Sequence, residues 1–287
     1  MRILVTGVAG QLGYDVMREL NERGYTDVLG IDKDELDITN KEAVNKFIEE
    51  YKPDVIFHNA AWTAVDKAEE MKDVCYNVNV LGTKYIAEAA EKIGSKLVYI
   101  STDYFFDGQG NNYFEINDRK APLSYYGKTK YEGELEAVKC KKHFIIRISW
   151  VFGINGNNFI KTMLRLAETK TELNVVADQI GSPTYTYDLS KLMCDMIETE
   201  KYGIYHATNE GICSWADFAK KIFEVANINT MKVNPVTTED YLKLVPQQAV
   251  RPLNSRMSKS SLDDAGFNRL PTWEDALTRF IKNELKR

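Results

Sequence analysis

The chain has little sulfur chemistry to offer. Its four cysteines (Cys75, Cys140, Cys194, Cys213) are scattered through 287 residues without a C-x-x-C pair. That excludes a disulfide scaffold and fits reduced, structural thiols in a cytoplasmic protein. The three histidines (His58, His143, His206) are equally dispersed, each in a strand-like run. They are expected to be structural, and no cluster of His, Cys and carboxylates offers a metal site. No apolar run approaches the roughly 20 residues needed to cross a bilayer. Met1-Arg-Ile-Leu-Val5 runs straight into a glycine turn, which does not read as a signal peptide. Long basic runs are also missing and the net charge is −5, so non-specific nucleic-acid binding is not expected. Internal repeats and low-complexity linkers are absent. What remains, 44% hydrophobic and 28% charged residues, is an ordinary globular composition, long enough for one large or two modest domains.

What is present is an alternation. Strand-like runs at 2–6, 27–32, 54–60, 96–101 and 143–149 are separated by helical patterns. Leu12, Val16 and Leu20 mark one helix face, with a stop at Gly24. Thr39 or Asn40 caps a helix carrying Ala43, Val44, Phe47 and Ile48. A helical stretch through 87–93 ends at Gly94, and another spans about 124–139. This predicts an α/β fold, a Rossmann-like doubly wound parallel sheet with helices on both faces. Beyond Trp150 the rhythm loosens. Helices are expected at 158–167, 187–198, 215–226 and 273–285, strands at 173–177 and 203–207, and loop chemistry at 246–252.

Gly7, Gly10 and Gly13 follow the first strand and open a helix, where a dinucleotide pyrophosphate can meet backbone N–H groups. The spacing is GxxGxxG, one residue longer in the turn than GxGxxG. Asp32 closes the second strand, placed to accept from a ribose hydroxyl. The acid favours NADH, while Lys33 beside it tolerates a 2′-phosphate, so both NADH and NADPH remain candidates. Tyr126 and Lys130 stand at i and i+4, on one helix face. An ammonium beside the phenol is expected to lower its pKa and make it a proton donor. Ser101-Thr102-Asp103 ends a strand where active-site loops emerge, and a hydroxyl there polarises a carbonyl oxygen alongside Tyr126. Tyr125 has no such partner, since its i+4 residue is Thr129. Each motif has a bland counterpart (a ligand-free turn, a strand-end cap, an exposed helix pair), and it is their order along one chain that suggests an oxidoreductase. The expected division is a dinucleotide-binding domain, 1–149, also using part of 183–208. A smaller C-terminal α/β substrate-binding region then comprises 150–182 and 209–287.

With these residues the chain resembles the extended short-chain dehydrogenase/reductase superfamily and, within it, the dTDP-4-dehydrorhamnose reductases. The resemblance rests on the glycine loop, Asn59-Ala-Ala-Trp-Thr-Ala-Val-Asp-Lys-Ala68, Ser101-Thr-Asp-Tyr-Phe-Phe106 and Tyr126-Gly-Lys-Thr-Lys130. Further segments are Ser149-Trp-Val-Phe-Gly153, Asn157-Asn-Phe159, Asp178-Gln-Ile-Gly-Ser-Pro-Thr184 and Arg251-Pro-Leu-Asn-Ser-Arg256. It implies cofactor contacts at Gly10, Gln11 and Leu12, at Asp32, at Asp37 and Ile38 near the adenine, and at Ala60 and Ala61. Thr102, Tyr126 and Lys130 would be catalytic, the latter two also touching the cofactor, with Asn79 supporting Lys130 through water. Thr102, Asp103, Trp150 and Arg251 would contact a nucleotide-sugar, Arg251 through its pyrophosphate. Read without the resemblance, Trp150 is equally a junction aromatic and Arg251 a surface ion pair. The family sometimes holds a divalent cation between glutamates at a dimer interface. Asp15 and Asp188 occupy those positions here with shorter reach, so no metal is expected, and a homodimer is left open.

Rival readings diverge at single features. A 4,6-dehydratase needs an acid after Thr102-Asp103, where this chain has Tyr104. An epimerase of the UDP-glucose type would retain tightly bound NAD without net consumption. A catalytically silent, cofactor-binding regulatory subunit would tend to lose Tyr126 or Lys130, and both are present.

Overall fold

Six strands lie parallel in one sheet, in the spatial order Gly203–His206, His143–Ile148, Lys96–Thr102, Val55–His58, Ile3–Thr6, Val28–Ile31. The structure is a computed structural model and describes residues 1–245 and 247–287; Pro246, which opens the expected loop 246–252, lies outside the described residues. The central strands are apolar on both faces, with Ile3, Leu4, Val5, Val55, Ile56, Phe57, Phe144, Ile145 and Ile146 all fully buried. A parallel sheet covered by helices on both sides requires this.

On one face the helices Gln11–Glu22 and Thr186–Ile197 pack together, burying Leu12, Val16 and Leu20 with Leu189, Leu192 and Met193. On the other, Lys41–Tyr51, Thr83–Ile93 and Tyr125–Ala137 bury Val44, Ile48, Ile86, Ala90 and Ala137. Asn40, not Thr39, caps its helix, accepting from Ala43 N at 3.1 Å. The chain runs from Ile3–Thr6 to one neighbour, Val28–Ile31, and then crosses to the other, Val55–His58. The carboxyl ends of Ile3–Thr6 and Val55–His58 therefore flank the switch point where open α/β sheets bind ligands.

One feature differs from the sequence expectation, and two others fill in the second half. The helix ending at Gly94 begins at Lys72 and passes through a π turn, Asn77–Gly82. The strand expected at 173–177, observed as Glu172–Val176, does not join the large sheet. It pairs in parallel with Lys232–Val236, whose Pro235 is tolerated in an outer strand. A second apolar core then forms from residues 152–281, including Phe152, Ile160, Leu164, Phe218, Ile222, Trp273 and Phe280.

Candidate active site

The first strand ends at Gly7, whose φ is +71 and whose place admits no side chain, since a Cβ would lie 2.8 Å from Ala60 N. A Cβ on Gly13 would overlap the Gly7 carbonyl, so the helix starts flat against the turn. Gly10 is its N-cap; no side chain caps the helix and no acid occupies its first turn. The leading N–H groups are thus left to an anion. Leu12 contributes only backbone here, because its side chain is in the core. The Gln11 amide turns away, accepting from Gly153 N at 2.9 Å and Asn158 Nδ2 at 3.0 Å. Asp32 accepts from Ala9 N at 2.9 Å and Lys33 N at 2.8 Å, shaping the glycine loop. Asp37 accepts from Thr39 N and Oγ1, bonds that hold its carboxyl below the usual range. Ile38 is buried against Gly82. Ala60 and Ala61 line the opposite lip, and the adjoining Asn59 amide has both polar atoms buried without a partner, a feature the sequence did not single out. Uncapped helix, glycine walls and unpaired amide together fit a dinucleotide with its pyrophosphate over Gly10–Leu12.

The strand Lys96–Thr102 delivers Ser101, Thr102 and Asp103 beside the same crevice. Ser124 caps the facing helix, accepting from Gly127 N at 3.2 Å. Gly127 lies so close to the Tyr104 carbonyl that a Cβ would overlap it. Helix and strand end are thereby pressed together, which sets the half-buried Tyr126 phenol on the side of the crevice where the strand ends at Thr102, whose hydroxyl donates to Asp103 Oδ1 at 3.2 Å and accepts from Tyr104 N at 3.3 Å. Tyr104 packs edge-on against Tyr126, ring centres 5.4 Å apart. Asp103 is buried. Desolvation pushes its carboxyl up to about 6 against the opposing Ser255 hydrogen bond, and its Oδ2 has no partner.

Lys130 departs from expectation. Its ammonium donates to the Ile100 carbonyl at 2.7 Å and sits 4.3 Å from the Tyr99 ring centre. Desolvation lowers its pKa to about 7. The Tyr126 phenol is not made more acidic; burial raises its pKa, with the Thr102 hydrogen bond opposing. Sharing a helix face does not settle where the ammonium bonds, and burial dominates the shift of the phenol. Asn79 is likewise committed elsewhere. It accepts from Trp62 N at 2.8 Å and donates to Trp62 O and Thr129 Oγ1, each at 3.1 Å. His58 is held between Thr6 and Thr83 hydroxyls, its pKa pushed down to about 3 by burial, hence neutral.

At the other end of the crevice Trp150, with a left-handed φ of 50, stacks on Trp215 at 3.8 Å, and Gly181 leaves room for its ring. Arg251 donates from Nη2 to Asp66 at 3.0 Å and from Nη1 to Ala249 O at 3.0 Å. Below the site lies a network absent from the sequence reading. Glu134 accepts from Ser101 Oγ and Arg147 Nη2, both at 2.6 Å, and Arg147 also donates to Ile116 O and His206. His206 Nε2 must then accept, so Nδ1 carries the hydrogen that bonds Ser258 O at 3.0 Å. Of the two acids that the resemblance sets at cation positions, Asp188 is gripped by both Arg279 Nη groups at 2.8 and 2.7 Å, and Asp15 is bonded to Thr186. Among the described residues no three His, Cys, Asp or Glu side chains group as a metal site, and no helix is long and apolar enough to cross a membrane.

Known proteins are similar to this chain over nearly its whole length. The dTDP-4-dehydrorhamnose reductase of Aggregatibacter actinomycetemcomitans is 44% identical, covering 96% of this chain and 97% of its own. The crystal structure of a dTDP-4-dehydrorhamnose reductase from Clostridium acetobutylicum superposes with a TM-score of 0.95 at 42% identity, covering 100% of both chains. That of the Bacillus anthracis dTDP-4-dehydrorhamnose reductase in complex with NADP gives 0.91 at 44% identity, covering 97% of this chain and 98% of that one. The model of the RmlD substrate binding domain family matches residues 1–286, and the chain belongs to that family, in which these dTDP-4-dehydrorhamnose reductases are its relatives.

Proposed function

We propose that this chain reduces the C4 ketone of dTDP-4-dehydro-L-rhamnose, giving dTDP-L-rhamnose, with NADPH or NADH as reductant. The observation that carries the reading is the close packing of the strand end at Thr102 and Tyr104 against the helix that carries Tyr126, set beside an uncapped helix N-terminus at the sheet's switch point. The bound nicotinamide cofactor supplies the hydride. Tyr126 gives its proton to the oxygen that becomes the alcohol, and Thr102 hydrogen-bonds the same oxygen. A phenol of raised pKa stays protonated at neutral pH, so the acid is in its donating form before substrate arrives. Lys130 holds the ribose with the ammonium N–H groups that its bond to the Ile100 carbonyl leaves over. Gly7, Gly10, Gly13 and the backbone of Gln11 and Leu12 hold the pyrophosphate, Asp32 the ribose, and Asp37, Ile38, Ala60 and Ala61 the remaining nucleotide. Asp103, Trp150 and Arg251 receive the nucleotide-sugar. In this reading the dinucleotide domain is 1–149 with part of 183–208, and the substrate region is 150–182 with 209–287.

The reading is tested by following NADPH and NADH consumption with freshly generated dTDP-4-dehydro-L-rhamnose and determining product stereochemistry. Tyr126→Phe should lose about 10²- to 10⁴-fold in kcat, the usual worth of a positioned general acid. Wild-type turnover in that variant would refute the assignment of Tyr126.

A further inference from the structure

From Gln247 to Leu253 the chain returns to the crevice, with Ala249 and Pro252 buried, Val250 54% exposed and Arg251 part-buried between them. Among the described residues, Asp66 is its main polar anchor. Asp66 Oδ1 accepts from Ala249 N at 2.9 Å and Oδ2 from Arg251 Nη2 at 3.0 Å. Asp66 lies in the short helix Val65–Ala68, which follows the lip formed by Ala60 and Ala61. Arg251 Nη1 also donates to Ala249 O at 3.0 Å, closing the loop on itself. The guanidinium has five N–H donors in a planar fork, so these bonds leave donors unspent.

We propose that Asp66 is a positioning residue for the nucleotide-sugar. Resting on the reaction proposed above, its carboxylate fastens residues 249–251 across the crevice so that Arg251 presents its free N–H groups to the substrate diphosphate. Without it, the long Arg251 side chain would have to be ordered at the moment of binding, an entropic cost taken directly from affinity. The geometry also separates this role from that of a competing anion. Asp66 holds the backbone of Ala249 as well as the guanidinium, and the backbone bond need not break for Arg251 to bond a phosphate.

The test uses dTDP as probe, titrated calorimetrically into the full-length protein, with steady-state kinetics and NADPH titration alongside. Asp66→Ala should weaken dTDP binding and raise the nucleotide-sugar KM, each by about tenfold, the scale of a lost charge-assisted bond. NADPH affinity should stay unchanged and kcat should hold within about twofold, because the bond acts on binding rather than on the chemical step. Asp66→Glu should recover part of the loss. Unchanged or tighter dTDP binding by Asp66→Ala overturns the proposal, the tighter result showing that Asp66 withholds Arg251 from phosphate. A parallel fall in kcat and NADPH affinity also overturns it, marking Asp66 as a general structural residue. Wild-type protein that binds dTDP yet leaves cofactor unconsumed refutes the proposed reaction, and the dTDP titrations of the variants still decide the role of Asp66.

Discussion

Lys130→Met should make the cofactor-free protein more stable while disabling it. Lys130 is 3% exposed. Its ammonium has the Ile100 carbonyl and the face of Tyr99 for company, with no carboxylate in direct contact. The nearest acid along the helix, Glu134, is taken by Arg147 and Ser101. Burial lowers the lysine from its ordinary 10.5 to about 7. The unfolded chain therefore binds a proton below pH 10.5 that the folded chain binds only below about 7. Stability rises with pH across that window, and the deficit is complete below it. At about 1.4 kcal/mol per unit the whole interval is worth at most roughly 4–5 kcal/mol. Methionine matches the length of the lysine stem and carries no charge. The expected gain is about 2–4 kcal/mol at pH 6.5, after allowing for relaxation around a buried charge, and it should shrink as the pH approaches 10. Urea unfolding of both cofactor-free proteins at pH 6.5, 8 and 9.5 measures it. A variant less stable than wild type at pH 6.5, or a gap that ignores pH, would refute the reasoning.

Arg147→Met leaves Glu134 buried without its cation and should cost about 3–5 kcal/mol in the same unfolding assay. Gly13→Ala drives a methyl into the Gly7 carbonyl, so NADPH binding, followed by fluorescence titration, should weaken at least about tenfold as the helix N-terminus shifts away from the pyrophosphate. Gly24→Ala is the control. Its φ of +79 makes alanine unfavourable, yet a Cβ there meets nothing within 4 Å; stability should fall by about 1 kcal/mol with NADPH binding intact.

Much of the scaffold was readable because local rules and the global fold agree. Apolar runs such as Ile3-Leu4-Val5 become strands buried on both faces, and Gly7, Gly10 and Gly13 stand where backbone must approach backbone or ligand. The strand ending at Thr102 and the helix carrying Tyr126 were both readable, from an apolar run and from Ser124 as N-cap. What escaped depends on rotamers and distant partners. The i,i+4 spacing places Tyr126 and Lys130 on one face, but the Ile100 carbonyl beneath that face decides where the ammonium goes. Gln11 reads as part of a cofactor loop, yet its amide spans to Gly153 and Asn158 across the fold. Arg251 and Asp66 are 185 residues apart, and neither has a neighbour in sequence that announces the other. The strand Lys232–Val236 was hidden by Asn234 and Pro235, which suit an outer strand and mask the alternation.

The most direct test of the central claim follows the transferred hydrogen. NADPH carrying deuterium at C4 of the nicotinamide is incubated with the protein and freshly generated dTDP-4-dehydro-L-rhamnose, and the sugar is examined by NMR. The account predicts deuterium from one face of the nicotinamide at C4 of a product with the L-rhamno configuration, formed mole for mole with oxidised cofactor. Label retained in the cofactor beside unreacted ketone would contradict it.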